Sequence, residues 1–131
     1  MPAEPADDRL RRLAVVYARL ALGAAFLSAV ASRFGLWGGG SWDGFMRYAA
    51  EVNSFAPAFA IPTLAVCATI AELTLGIALV AGFQLPRTAV AASALLAVFG
   101  TAMAISFGVK EPLDYSVFSA SAGALLLALW R

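Results

Sequence analysis

The sequence predicts an all-α membrane protein: a four-transmembrane-helix antiparallel bundle with a short amphipathic helix in the outer loop between helices 1 and 2. The 131 residues are 62% hydrophobic and 13% charged, and their mean hydropathy is +0.84. Soluble domains are about 45–50% apolar and about 25% charged. So few charges cannot cover the surface of a water-soluble domain of this size, which excludes a soluble enzyme.

Four apolar stretches approach the length of about 20 residues that a transmembrane helix needs. They make a single membrane domain over residues 1–131, with spans at about 13–32, 59–83, 88–107 and 116–130. The last stretch is short, but Tyr115 and Trp130 border it, and such aromatic residues favour the headgroup level. Gly82 and Pro86 predict a tight turn between the second and third spans.

The first span has a second interpretation as a signal peptide. Arg9, Arg11 and Arg12 precede an apolar run that ends at Ala29–Ala31, which is similar to a cleavage site. Arg19 lies inside that run, whereas the apolar region of a signal peptide carries no charge. We therefore expect the segment to stay as the first span.

The distribution of Lys and Arg over the loops predicts the orientation, because cytoplasmic loops carry more of them. If the N-terminus is on the cytoplasmic side, three basic residues lie on the outer side, namely Arg33, Arg47 and Lys110. The same orientation places five basic residues on the cytoplasmic side: Arg9, Arg11, Arg12, Arg87 and Arg131. Both termini are then expected to be cytoplasmic.

The long outer connection, about residues 33–57, contains the predicted short helix. Gly38–Gly40 interrupt regular structure, and Ser41 or Asp43 then serves as the N-cap. One face of the helix carries apolar residues, namely Phe45, Ala49, Val52 and Phe55. This pattern predicts an amphipathic helix on the outer membrane surface. The alternative is a lid that packs on the bundle with no ligand beneath it.

Arg19 and Glu72 are ionisable residues inside the predicted spans, where each costs about 2.5–3.5 kcal/mol near the membrane centre. Their depths, about 9 Å and about 15 Å from the cytoplasmic ends, allow them to pair between antiparallel helices. Thr69 offers a hydroxyl nearby, and Gly23 and Gly76 let the two helices approach closely. These five residues form the predicted binding site, with Glu72 as the candidate proton carrier. A purely structural ion pair is the alternative.

Several outer residues are predicted to gather at the rim of the bundle: Arg33, Trp37, Trp42, Lys110, Asp114 and Tyr115.

The chain has no histidine and one cysteine, Cys67. We therefore expect no usual zinc site, no CxxC pair and no iron–sulfur cluster, and we predict no metal-ligating residues. The chain has nine basic and eight acidic residues. This balance gives no positive electrostatic field that would attract nucleic acid.

Three segments resemble the DoxX family of small bacterial membrane proteins. Phe26–Gly38 is similar to the end of the first helix of that family. Glu72–Gly76, followed by Gly82 and Arg87, resembles the second helix and its turn, and Lys110–Phe118 resembles a late signature of one subgroup. The resemblance covers most of the chain after about residue 13 and implies a four-helix protein of the bacterial inner membrane.

The resemblance also implies a function. Relatives are associated with quinone-linked sulfur oxidation, as the membrane part of a thiosulfate:quinone oxidoreductase, or with membrane complexes that handle thiols. The intramembrane Glu of the family falls on Glu72 and its first-helix Arg on Arg19, while Arg33 stands nearest to a Lys that many relatives carry. We therefore expect an accessory subunit that lies in the bilayer, alone or as a homo-oligomer, and that binds quinone or docks a soluble oxidoreductase. The alternatives are a structural scaffold and a pathway for protons or small solutes.

Overall fold

The computed structural model describes residues 6–130, and this part of the chain is helical and contains no strand. The predicted all-α class is therefore confirmed. A 3₁₀ turn, Ala58–Ala60, precedes the third helix. The described residues form six helices: α1 Ala6–Arg33, α2 Trp42–Val52, α3 Ile61–Ala81, α4 Leu85–Phe107, α5 Lys110–Asp114 and α6 Val117–Ala128. Arg131, which entered the predicted orientation, lies outside the described residues.

Three of the helices, α1, α3 with its preceding turn, and α4, are long and apolar enough to cross a membrane. The predicted fourth span is shorter than expected. Helix α6 has 12 residues, which gives a length of about 18 Å, whereas the hydrocarbon core of a bilayer is about 30 Å thick. Helix α1 begins earlier than the apolar run, because Asp7 and Asp8 in its first turn interact favourably with the positive end of the helix dipole.

Helices α1 and α3 pack in opposite directions through a pair of glycines. A Cβ atom on Gly23 would lie 2.6 Å from Cγ2 of Val80 and 3.0 Å from the carbonyl oxygen of Gly76. A Cβ atom on Gly76 would meet Leu27 at 3.0 Å. The two glycines therefore permit the close helix contact that the sequence predicts.

Helices α4 and α6 form the second closely packed pair. The hydroxyls of Ser93 and Ser121 each donate to the carbonyl oxygen of the other residue, both at 2.8 Å. Further along, Gly100 lies against the ring of Phe118. Two helix pairs, α1 with α3 and α4 with α6, thus make up most of the molecule.

The turn between α3 and α4 joins the two pairs at one end. Gly82 ends α3 in the left-handed conformation, with φ of 74°, and Pro86 lies in the first turn of α4, as the sequence predicts. A buried apolar core fills this half of the molecule, and its members come from α1, α3, α4 and α6: Phe26, Leu79, Ala89, Ala92, Ala124, Leu127 and Ala128.

Helix α2 crosses the other end of the molecule. Ser41 is its N-cap, and the Oγ atom accepts a hydrogen bond from the N–H of Gly44 at 3.0 Å. Ala49 and Val52 are buried against α3 and α4, and the hydroxyl of Ser106 on α4 donates to the carbonyl oxygen of Val52. The predicted short helix is confirmed, and it packs on the helices as a lid. Phe55, expected on its buried face, follows α2 and is exposed.

Candidate functional site

The site centres on a buried ion pair between the end of α1 and the middle of α3. Nη2 of Arg33 lies 2.6 Å from Oε2 of Glu72, and both side chains are at least nine-tenths buried. At this distance the two side chains form a direct charge-assisted contact that is shielded from solvent.

Two further groups fix the position of the guanidinium. Nη1 of Arg33 donates to Oγ1 of Thr69 at 3.0 Å, and the Thr69 hydroxyl donates in turn to the carbonyl oxygen of Ala65 at 2.8 Å. The ring of Phe45, on α2, lies over the guanidinium, with 3.7 Å between Cζ of Arg33 and the ring centroid. The cation is therefore held by a carboxylate, a hydroxyl and an aromatic face.

The local sequence accounts for this arrangement. Arg33 is the last residue of α1, where a cation interacts favourably with the negative end of the helix dipole. Thr69 and Glu72 are three residues apart on α3 and so share a face. The loop after α1 turns back against that helix at Gly40, where a Cβ atom would collide with the carbonyl oxygen of Ser32. The loop thereby places Phe45 of α2 directly above Arg33.

A cavity of about 180 Å³ lies beside the ion pair, beneath α2. Arg33 and Glu72 are both part of its lining, and most of the remaining wall is apolar. The wall comes from four helices and the residue after α2: Phe45, Tyr48, Ala49, Val52 and Asn53; Leu64, Ala65 and Ala68; Leu96, Phe99 and Met103; and Val117. An apolar cavity with a few convergent polar groups is the usual form of a small-molecule site.

Tyr48 and Asn53 add polar groups to the α2 side of the cavity. Burial raises the pKa of Tyr48 above its ordinary value, and nearby Glu111, Tyr115 and Glu51 raise it further. The phenol therefore stays protonated at neutral pH and can donate a hydrogen bond. The side-chain amide of Asn53 donates to the carbonyl oxygen of Ala49 at 2.9 Å, which leaves its oxygen as an acceptor.

The predicted pairing of Arg19 with Glu72 is wrong. Arg19 donates from Nε to the carbonyl oxygen of Leu79 at 3.0 Å and from Nη2 to that of Val80 at 2.9 Å. These carbonyls belong to the last turn of α3, where the regular hydrogen bonds of the helix end. The Leu79 carbonyl also accepts a hydrogen bond from the N–H of Gly82 at 3.2 Å. Leu79 lies about 10 Å along the helix from Glu72, which puts the carboxylate beyond the position that Arg19 occupies.

The depth estimates failed because they measured each residue from the end of its own apolar run. In the structure the glycine contact sets the register of α1 on α3 instead, and it brings Arg33 level with Glu72. Thr69 is at the ion pair as predicted. Gly23 and Gly76 lie in the α1–α3 contact and not in the cavity wall.

The predicted outer rim does not form one cluster. Arg33 turns inward to Glu72, and Trp42 stacks on Phe34 with 5.6 Å between ring centroids. Lys110 and Asp114 pair with each other on exposed α5. Trp37 and Tyr115 are both about two-thirds exposed. Of the six residues, Arg33 alone is part of the cavity lining.

Sequence reasoning did not assign Phe45, Tyr48 or Phe99 to the site. A signal was present for Phe45, since it lies on the apolar face of the predicted lid helix. Tyr48 and Phe99 lie on different helices, and only the tertiary packing brings them to one cavity.

No model of a protein family, no curated protein and no solved structure matches this chain. Within residues 6–130, no group of three His, Cys, Asp or Glu side chains is placed to hold a metal ion.

Proposed function

We propose that this chain is a membrane subunit of a redox-associated system and binds a quinone in the cavity beneath α2. The observation that carries the proposal is the buried Arg33–Glu72 pair in the lining of an otherwise mostly apolar cavity. Ionisable groups inside a membrane protein are costly and are functional by default.

The groups in the cavity match the chemistry of a quinone. A quinone ring is apolar on its faces and carries two carbonyl oxygens that accept hydrogen bonds. Arg33 and Tyr48 supply donors for these oxygens, and Phe45 and Phe99 supply aromatic faces for the ring. Glu72 is suited to exchange the proton that accompanies quinone reduction or quinol oxidation, while a partner oxidoreductase, thiol- or sulfur-linked, supplies or takes the electrons.

The membrane arrangement is part of the same proposal. We take α6 as the fourth span of an antiparallel bundle, completed at its ends by α5 and by Trp130 at the headgroup level. Arg9, Arg11 and Arg87 lie at the end that carries the α3–α4 turn, which favours a cytoplasmic position for this end. The resemblance to DoxX proteins supports the bacterial inner membrane as the location.

Quenching of tryptophan fluorescence by a benzoquinone tests the proposal. Trp42 is the suitable reporter, because its ring lies 5.6 Å from that of Phe45 in the cavity wall. Trp37 and Trp130 are replaced by Phe so that only Trp42 emits. We expect saturable quenching in liposomes, weakened about tenfold in Glu72→Gln, which corresponds to about 1.4 kcal/mol. Glu51→Gln, an exposed carboxylate on α2, is the matched control and should bind as the parent does.

Quenching that never saturates, or that saturates equally in Glu72→Gln, would contradict quinone binding at this site. Arg33→Lys provides a second variant that keeps the charge beside Glu72 if Glu72→Gln does not fold. It should weaken binding less than Arg33→Met does.

A structural role for the pair is the second candidate, and a specific observation favours it. Arg33 contacts Glu72, Thr69 and Phe45, and the charges of Arg33 and Glu72 neutralise each other without any ligand. The exchange Arg33→Glu with Glu72→Arg separates the two functions. A structural role predicts that the exchanged protein folds and has the same activity in the membrane as the parent protein. A binding role predicts that the exchanged protein folds but no longer binds quinone.

A further inference from the structure

We infer that the ligand enters the cavity sideways from the membrane, between α3 and α4, and that it is a lipid with a ring-sized head and an apolar chain. This inference rests on the proposed function and names the form of quinone that the site takes. It also assigns a role to four residues that border the gap between α3 and α4: Leu64, Ala68, Leu96 and Phe99. We call this gap the lateral opening.

The volume of the cavity limits what it can enclose. It measures about 180 Å³, and an engineered protein cavity of about 150 Å³ is known to bind one benzene molecule. A substituted six-membered ring therefore fits. Cavities that enclose whole drug-sized molecules measure about 300–1,000 Å³. Any long chain on the ring must consequently leave the cavity.

The walls differ in how well they are closed. On the α1 side the buried Arg33 closes the cavity, and above it the buried Ala49 and Val52 of α2 do the same. On the α3–α4 side, Leu64 is 40% exposed although it lines the cavity. Ala68, Leu96 and Phe99 are only partly buried. Tyr48 of α2, at 43%, is about as exposed as Leu64, so water also reaches the cavity at this phenol. Among the purely hydrocarbon side chains of the lining Leu64 is the most exposed, and the apolar part of the wall is thus most open between α3 and α4.

The fold explains why the opening lies there. Helix α3 packs mainly on α1, and α4 packs mainly on α6, so α3 and α4 face each other across the boundary of two helix pairs. The turn at Gly82 holds them together at one end, where the buried core fills the space. The cavity occupies the opposite end, where α2 covers the gap from above.

The exposed faces of α3 and α4 are apolar. Val66 and Ile70 on α3 and Val98 and Ile105 on α4 are all exposed, and both helices are long and apolar enough to lie in a bilayer. The opening therefore faces hydrocarbon. A chain that emerges between Leu64 and Leu96 would pass from the protein directly into lipid, without crossing a polar surface.

Association rates of two quinones test the lateral opening. The probes are a methylated benzoquinone without a chain and the same ring with a decyl chain. Their association with the protein in liposomes is followed by stopped-flow quenching of Trp42, and concentrations are corrected for partition into lipid. Two variants narrow the opening, Ala68→Phe and Leu64→Phe, and Ala94→Phe places the same new ring on an exposed part of α4 outside the cavity.

We expect at least a tenfold slower association of the decyl quinone in Ala68→Phe or Leu64→Phe, and parent-like rates in Ala94→Phe. The ring without a chain should be slowed much less, because it can also enter from water at the exposed Tyr48. Equal effects on both quinones, or no effect on the decyl quinone, would overturn the lateral opening. Saturable binding in the parent protein would then still support the proposed function. If neither quinone binds the parent protein saturably, the proposed function fails, and the lateral opening fails with it.

Discussion

The guanidinium of Arg33 lies 3.7 Å from the centre of the Phe45 ring, and this contact connects the buried ion pair to the lid helix above it. The Phe45 ring in turn lies 5.6 Å from Trp42 at the start of α2. The position of α2 over the cavity therefore depends on a charge held by α1 and α3. Closure of the cavity and integrity of the ion pair should change together.

Replacing Phe45 by Leu should loosen α2 without unfolding the rest of the protein. The variant keeps an apolar side chain but loses the cation–π contact, which is worth about 0.5–2 kcal/mol. Hydrogen exchange of the α2 amides should become about tenfold faster, while the amides of α4 stay protected. Phe55→Leu, an exposed residue just after α2, is the control. Unchanged exchange in Phe45→Leu would show that the contact does not hold the lid.

Removing one member of the ion pair should destabilise the protein much more than removing both. Arg33→Met or Glu72→Met leaves an uncompensated buried charge, at a cost of about 3–5 kcal/mol, whereas the double variant replaces both charges by apolar groups and is expected to be close to neutral. The free energy of unfolding in mixed detergent micelles measures the difference. Arg47→Met on the exposed side of α2 serves as the control. Additive losses in the double variant would contradict a direct interaction.

Adding a methyl group to the α1–α3 contact should destabilise the protein. Gly76→Ala brings a Cβ atom to 3.0 Å from Leu27, and Gly23→Ala brings one to 2.6 Å from Val80. Overpacking of this kind costs about 1–3 kcal/mol. Gly123→Ala in α6 meets nothing within 4 Å and should be neutral or stabilising by up to about 1 kcal/mol through helix propensity. Equal effects at all three positions in thermal unfolding would exclude a tight contact at Gly23 and Gly76.

Arg19→Met should lower stability but leave quinone binding unchanged. The variant removes two hydrogen bonds from a charged group to the last carbonyls of α3, each worth about 1.5–3 kcal/mol at most. Arg19→Lys should recover part of the loss, and Arg9→Met, in the exposed first turns of α1, should have little effect. A tenfold weaker affinity for quinone in well-folded Arg19→Met would show that Arg19 contributes to the quinone site after all.

Local patterns in the sequence predicted much of the fold but not the partner of Glu72. Apolar runs indicated four spans, and three of them are long helices in the structure. Ser41 or Asp43 indicated the start of α2, and Gly82 with Pro86 indicated the turn, because each signal lies within a few neighbouring residues. The partner of Glu72 depends on the register between α1 and α3. That register follows from the fit of Gly23 against Gly76 and Val80, and a count from the ends of apolar runs does not contain it.

The cavity was beyond sequence reasoning for a similar reason. Phe45, Leu64, Phe99 and Val117 come from four helices, and no spacing along the chain relates them. The sequence did mark Glu72 and Thr69 as polar residues in an apolar helix, which proved to be two members of the ion-pair cluster. It gave Arg33 a position at the rim, because a residue at the end of a span is expected to reach water rather than to turn inward.

Photolabelling shows most directly whether a quinone occupies the cavity beside Arg33 and Glu72. An azide-bearing benzoquinone is bound in liposomes and irradiated, and peptide mass spectrometry then locates the labelled residues. We predict labels on Phe45, Tyr48 and Phe99 that an excess of unmodified quinone removes and that Glu72→Gln reduces. Labels spread over the lipid-facing residues Ile70 and Leu126, insensitive to competition, would contradict the account.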